Sequence, residues 1–358
     1  MTKRDYSLLG DDAKRAVETG LAAAEWYHTD IPRKEMKALM AREDWPAICD
    51  TVILFSAMIT FAAGGIVLWP TWWSAPFWLA YGVLYGSAMD SRWHECGHGT
   101  AFRTGWMNNL VYQIASFCMI RNPVAWRWSH ARHHTDTIIV GRDPEIVAMR
   151  PPALFRICLN FFGILDAWNG WARMLLNASG RLDPEEATFI PESEHPKVIR
   201  IARIWVLIYA ATIGLAIWTG SILPFMLIGL PRLYGAWHHV LTGVLQHAGL
   251  ADNVVDHRLN SRTVYMNPVS RFIYWNMNYH VEHHMFPMVP YHRLPALHER
   301  IKDDLPRPNR SIWEAYAEVL PTLKRQLAYE DYFLRRDLPP TAKPYKEDFH
   351  AAALGAAG

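Results

Sequence analysis

Eight of the chain's 17 histidines fall into three short clusters, His94-Glu95-Cys96-Gly97-His98, His130-Ala131-Arg132-His133-His134 and His280-Val281-Glu282-His283-His284. On a helix, residues spaced i, i+3 and i+4 share one face, so each cluster can aim two or three imidazoles at one point. Neutral imidazole suits iron, copper and zinc, and a set this rich in nitrogen exceeds the four ligands of a zinc site, which makes two metal ions the economical reading. The pattern H-x-x-H-H occurs twice, which chance rarely produces at this histidine content. His94 to His98 also satisfies H-E-x-x-H, the two ligands and general base of a membrane zinc protease. That alternative leaves His130, His133, His134, His280, His283 and His284 without a role. A metal or proton transporter would instead need its histidines within membrane spans, whereas these follow the ends of apolar runs. Asp90, Glu95, Asp136 and Glu282 lie close enough in sequence to take the second N–H of a ligand ring.

Something must carry the clusters to one place, and the apolar runs supply the candidates. At 51% hydrophobic, 358 residues could fold as soluble domains or as one membrane unit, and the distribution decides between them. Ala47 to Met89 holds no Lys or Arg and one acid, Asp50, and Ile204 to Pro231 holds no charge. About 20 apolar residues of helix cross a bilayer core. The runs predict an all-α integral membrane protein with four transmembrane helices in two hairpins, near Ala47–Trp69, Trp72–Met89, Ile204–Trp218 and Ile222–Leu245. A helical cap then holds the histidines. Neither hairpin tip carries a basic residue, while Lys3, Arg4, Lys14, Arg15, Arg33, Lys34, Lys37 and Arg42 precede the first run, so both termini and the metal site are expected in the cytoplasm. Trp106–Ile120 and Pro152–Leu176 read as amphipathic interfacial helices, the alternative for either being a fifth crossing.

The chain divides into an N-terminal cytoplasmic segment, 1–46, a catalytic domain, 47–300, and a C-terminal cytoplasmic tail, 301–358, with an Ala/Gly-rich end expected to fray. A polar start rather than an apolar leader predicts no cleaved signal peptide. A net charge of +2 without a basic aromatic stripe gives no reason to expect nucleic acid. Cys49, Cys96, Cys118 and Cys158 lack C-x-x-C spacing, as in a reducing compartment. Arg232 is the one charge within the fourth run and a candidate to contact a substrate carboxylate or acidic lipid, or else to pair locally. His238 and His239 suit a substrate cavity or a supporting role around the metals. His28, His195, His257, His292, His298 and His350 stand outside the clusters as surface or packing residues.

The arrangement resembles the membrane fatty acid desaturase and hydroxylase superfamily, with its three histidine boxes of types H-x-x-x-H, H-x-x-H-H and H-x-x-H-H. Trp93 to Gly99 is similar to the first box with its following glycine. Arg127-Trp128-Ser129 leads into the second box, and Asn278-Tyr279-His280-Val281-Glu282-His283-His284-Met285-Phe286-Pro287 is very similar to the third. The likeness runs from roughly residue 45 to residue 300. Leu245-Gln246-His247-Ala248-Gly249-Leu250 looks like the segment that supplies a further histidine in the alkane-hydroxylase branch. The resemblance therefore implies a nine-ligand set of His94, His98, His130, His133, His134, His247, His280, His283 and His284. His238 and His239 compete with His247 for the ninth place, but they lie roughly 12 Å away along a helix.

The resemblance further implies two non-haem iron ions, O2 as co-substrate, and desaturation or hydroxylation of an aliphatic C–H bond in a fatty acyl or related lipid. Alkane-type hydroxylation, oxidative decarboxylation of a fatty acid to a terminal alkene, and oxidation of a small polar metabolite are the alternatives. With no His-Pro-Gly-Gly and no cysteine cluster, reducing equivalents must come from an external donor, a ferredoxin or other electron-transfer protein with its reductase. Arg92, Arg103, Arg121, Arg127 and Arg132 could dock that donor or face lipid phosphates. The implied location is a bacterial inner membrane.

Overall fold

The computed structural model of the protein describes residues 4–347 and 349. His350 and the Ala/Gly-rich end lie outside them. Among the described residues the chain is helical, without a strand and with two isolated bridges, Thr263 to Tyr279 and Val264 to Asn309.

Helices α1 (Asp11–Glu18) and α2 (Arg33–Leu39) precede α3 (Trp45–Val67). At 23 residues, α3 is about 35 Å long. Among the described residues it is one of two helical stretches long and apolar enough to cross a bilayer, the other being Glu192–Thr219. The chain returns through α4 (Ala75–Val83), a π-helical turn at Leu84–Ala88, and α5 (Met89–His98). Gly99 at φ +70° stops α5 directly after the second histidine of the first box. α6 (Gly105–Met119) packs along α5, and α7 (Pro123–Thr135) carries the second box. The start of α7 is fixed locally. Asn122 caps it by accepting from the backbone N–H of Val124 and Ala125, and Pro123 occupies the first turn, where no N–H is needed.

The interfacial element expected over Pro152–Leu176 is two helices, α8 (Leu154–Phe161) and α9 (Ile164–Ala178), separated at Gly163 with φ +61°. α10 (His195–Thr219) is continuous over 25 residues. The return expected as one helix over Ile222–Leu245 is instead broken into α11 (Leu223–Leu227), α12 (Pro231–Tyr234) and α13 (Trp237–His247). Gly229 at φ +92° leaves helical geometry, and Pro231 has no N–H to continue the ladder. The break lets two backbones touch. A Cβ on Gly235 would lie 1.7 Å from the carbonyl oxygen of Gly82, so only glycine admits this crossing. Ser87 Oγ seals it, donating to Gly235 O at 2.5 Å and accepting from His239 N at 2.9 Å.

α14 (His257–Asn260), α15 (Pro268–Tyr274), α16 (His280–Met285, the third box), α17 (Leu294–Ile301) and α18 (Ile312–Gln326) complete the order. Both flanks pack onto the middle. Trp26 stacks on His257 with ring centroids 4.2 Å apart, Tyr27 Oη donates to Asp304 at 2.6 Å, and α18 meets α13 through Val240, Val244, Val319 and Leu323. The main apolar core lies between α3–α6 and α15–α17 and includes Trp78, Tyr85, Trp93 and Trp275. The outer faces of α3 and α10 expose large apolar side chains, among them Val52, Ile59, Val67, Leu207 and Ile217.

Candidate metal centre

The three boxes meet. His94, His98, His130, His134 and His283 form one group and His133, His247 and His284 a second, with the candidate ligand atoms of each group within 4.8 Å of one another. His280 joins the second group, its Nε2 lying 3.0 Å from Nε2 of both His247 and His284. Nine imidazoles thus divide five and four. The groups abut, with the rings of His134 and His284 4.5 Å apart.

Hydrogen bonding cannot satisfy this arrangement. His130 Nε2 faces Nε2 of His94, His98 and His134, each at 3.1 Å, while its Nδ1 donates to Glu145 Oε2 at 2.9 Å. A neutral ring carries one N–H, so the His130 Nε2 facing its neighbours is a bare lone pair. In the other group, His133 Nδ1 donates to Asp143 Oδ2 at 2.8 Å and His247 Nδ1 to the Asn260 carbonyl at 2.8 Å. His284 Nδ1 lies 3.2 Å from Thr137 Oγ1, whose own proton goes to His133 O, so the hydroxyl accepts from the ring. Each of these contacts leaves Nε2 free, and convergent lone pairs are what a cation neutralises. The donor set therefore fits nitrogen-bound metal. Charge points the same way: burial, with neighbouring rings, holds His130, His134, His283 and His284 well below the ordinary imidazole range. At His133 burial is outweighed by Asp143, and the value is raised.

Packing adds to the hydrogen bonds. Trp126 stacks on His130 at 4.2 Å and 17° and lies against Trp93, their centroids 3.5 Å apart. The first box admits this ring because position 97 is glycine, where a Cβ would come within 2.1 Å of Trp126.

The carboxylates proposed from sequence make their bonds elsewhere. Glu95 accepts at Oε1 from Thr100 Oγ1 at 2.7 Å and Tyr291 N at 3.0 Å, and it belongs to neither group of candidate ligands. Asp136 pairs with Arg142 and Arg132. Glu282 binds Thr263 Oγ1 and His298 Nδ1. Asp90 pairs with Arg121 at 3.2 Å and faces His239 Nδ1 at 3.5 Å. The carboxylates that do receive ligand N–H groups, Asp143 and Glu145, were missed. Their only signal is the acidic Asp143-Pro144-Glu145 a few residues past the second box.

Arg232 is fully enclosed. It binds Asp166 at 3.0 Å and Gly86 O at 3.4 Å, so its charge is compensated within the protein rather than presented to a substrate anion. His239 Nε2 lies 3.3 Å from it, and His238 Nε2 lies 3.2 Å from Ser270 Oγ; neither ring joins the metal groups. Arg92 is also removed from any docking surface, being fully buried between Phe272 and Trp275 and bonded to Ile273 O at 2.7 Å. Arg121 and Arg132 are partly enclosed by ion pairs, and Arg103 and Arg127 are exposed. Of the unclustered histidines, His257 and His298 are buried packing residues.

The family model described as fatty acid desaturase matches residues 68–316. The chain is similar to the sn-2 acyl-lipid omega-3 desaturase (ferredoxin), chloroplastic, of Arabidopsis thaliana, 23% identical over 318 residues, 83% of this chain and 70% of that protein. A protein of the same description from Helianthus annuus is 23% identical over 293 residues, 76% of this chain and 65% of that one. The omega-3 fatty acid desaturase, endoplasmic reticulum, of Vigna radiata var. radiata is 23% identical over 257 residues, 66% of this chain and 67% of that one. The chain spans roughly two thirds of the length of these relatives.

Proposed function

The chain belongs to the fatty acid desaturase family, and on that premise we propose that it is a membrane-embedded di-iron enzyme that introduces a double bond into an acyl chain of a lipid. Membership makes it an oxidoreductase. The observation that carries the finer reading is the convergence of nine imidazoles as five and four, which suits two iron ions held by His94, His98, His130, His134 and His283 on one side and His133, His247, His280 and His284 on the other. Bound there, the irons would supply the dioxygen chemistry that removes hydrogen from an unactivated methylene. The protein's part is to orient and enclose. Asp143, Glu145, Asn260 and Thr137 hold four ligand rings by their Nδ1–H, and Trp126 and Trp93 wall off water from the five-ring side. Removing two hydrogens while dioxygen goes to two waters takes two further electrons and two protons. An external one-electron carrier supplies the electrons, and the names of two relatives include a ferredoxin.

In the bilayer, α3 and α10 would cross directly, the helix from α4 into α5 would make the second crossing, and the broken run α11–α13 the fourth. Histidines and termini would then share the cytoplasmic face. Desaturation is preferred to hydroxylation because the similar proteins are desaturases by description. The test is iron analysis of purified protein together with mass spectrometry of lipids from cells expressing wild type or His133→Ala. Bound iron and a new unsaturated acyl species in wild type alone are expected. An iron-free protein, or identical lipids from both strains, overturns the reading.

A further inference from the structure

Thr137–Glu145, the helix-free stretch after α7, reaches both groups of rings at once. Asp143 Oδ2 accepts from His133 Nδ1 and from the Ile138 N–H, each at 2.8 Å, and its Oδ1 accepts from the Glu145 N–H at 2.8 Å. Glu145 Oε2 accepts from His130 Nδ1 at 2.9 Å, and its Oε1 accepts from Ser129 Oγ at 2.7 Å. The two carboxylates are therefore linked to each other by one backbone N–H, yet they brace rings in different groups: His133 in the four-ring group and His130 in the five-ring group. Their stretch is itself pinned. Ile138 sits at φ +56° with its carbonyl accepting from Asn253 N at 3.1 Å, and Val140 N donates to Asn253 Oδ1 at 2.8 Å. Gly141, at φ +75°, is pressed against α1, where a Cβ would come within 2.5 Å of Ala13 N.

A carboxylate that accepts Nδ1–H fixes the ring plane, keeps the lone pair on Nε2, and makes that nitrogen a better donor than a neutral acceptor would. Resting on the two-iron reading above, we propose that Asp143 and Glu145 are positioning residues that set iron retention separately, Asp143 in the four-ring site and Glu145 in the five-ring site. One short stretch thereby tunes two metal positions without tying their affinities together.

The test uses the full chain in lipid nanodiscs, loaded anaerobically with ferrous iron and followed by release to a chromogenic chelator. Asp143→Asn should release one iron roughly 10- to 100-fold faster and leave the other at the wild-type rate, and Glu145→Gln should do the converse. Assignment comes from two backgrounds. With His94→Ala and His98→Ala together, which empty the five-ring site and spare the four-ring one, Asp143→Asn keeps its effect and Glu145→Gln has none; with His247→Ala and His284→Ala together the pattern reverses. Melting of the metal-free variants at the wild-type temperature separates positioning from a folding defect. Should Asp143→Asn fail to fold, Glu145→Gln, at a partly open carboxylate, still decides the matter. Equal acceleration of both irons, or of neither, overturns the proposal. A wild type holding fewer than two irons fails earlier and overturns the two-iron reading itself.

Discussion

The five-ring and four-ring groups use the same donor and touch one another, but they are held by different means. In the four-ring group His133, His247 and His284 each hand Nδ1–H to a fixed acceptor, namely Asp143, the Asn260 carbonyl and Thr137 Oγ1. In the five-ring group His130 does so, to Glu145, whereas Nδ1 of His134 and of His283, like that of His280 in the four-ring group, is buried without a partner. Packing takes over there, with Trp126 flat on His130 and Trp93 behind it. Fewer ligands held by directed bonds, and more ligands held by shape, are two solutions to fixing a metal. They should fail differently, because hydrogen bonds fix the rotation of a ring and stacking fixes only its plane.

The largest break in that contrast is loss of a ligand. His133→Ala removes the one ring backed by a fully buried carboxylate and should abolish product and about half the bound iron, whereas His98→Ala, in the larger group, should retain more iron than His133→Ala. Metal analysis of the two proteins side by side is the check, and equal losses would count against the difference. Next comes Trp126→Ala, expected to cost about 3–5 kcal/mol of stability, as for other buried aromatics, and to loosen the five-ring iron first. Thermal melting with iron-release kinetics would reveal it. Arg232→Gln should separate fold from function. Removing one partner of the Arg232–Asp166 pair should cost about 1–3 kcal/mol, discounted because Asp166 is partly open, with apparent affinity for substrate unchanged. A raised KM at wild-type melting temperature would restore Arg232 as a substrate contact. The smallest change is Thr137→Val, which deletes the acceptor for His284 and should weaken the four-ring site by about 0.5–1.5 kcal/mol, read as a several-fold faster release of that iron alone.

How much of this the sequence disclosed depended on whether a signal was periodic. Box spacing translates directly into a helix face, so eight histidines could be grouped from spacing alone, and the likeness of Leu245–Leu250 to a known segment pointed to the ninth. Asp143 and Glu145 carry no such period, since a turn stretch aims its side chains by a path that residue spacing does not encode. Proximity in sequence therefore favoured Asp136, which faces Arg142 instead. For Arg232 the cost of burying a charge was visible, but its partner, Asp166, lies 66 residues away in another helix. The broken fourth run was misread because apolar content stays high across the break, although Pro224, Gly229, Pro231 and Gly235 stood in the sequence as interruptions.

The π-helical turn at Leu84–Ala88 gives the α4–α5 helix an angular offset. A wider turn holds one residue more than an α-helical turn, which advances everything beyond it by about 100°. Its first half and its box-bearing half are thus geared to different bearings, so Trp78 and Tyr81 meet the apolar core while the histidines meet the other boxes. Shortening that turn by one residue would leave composition and length almost untouched while swinging His94 and His98 off their target.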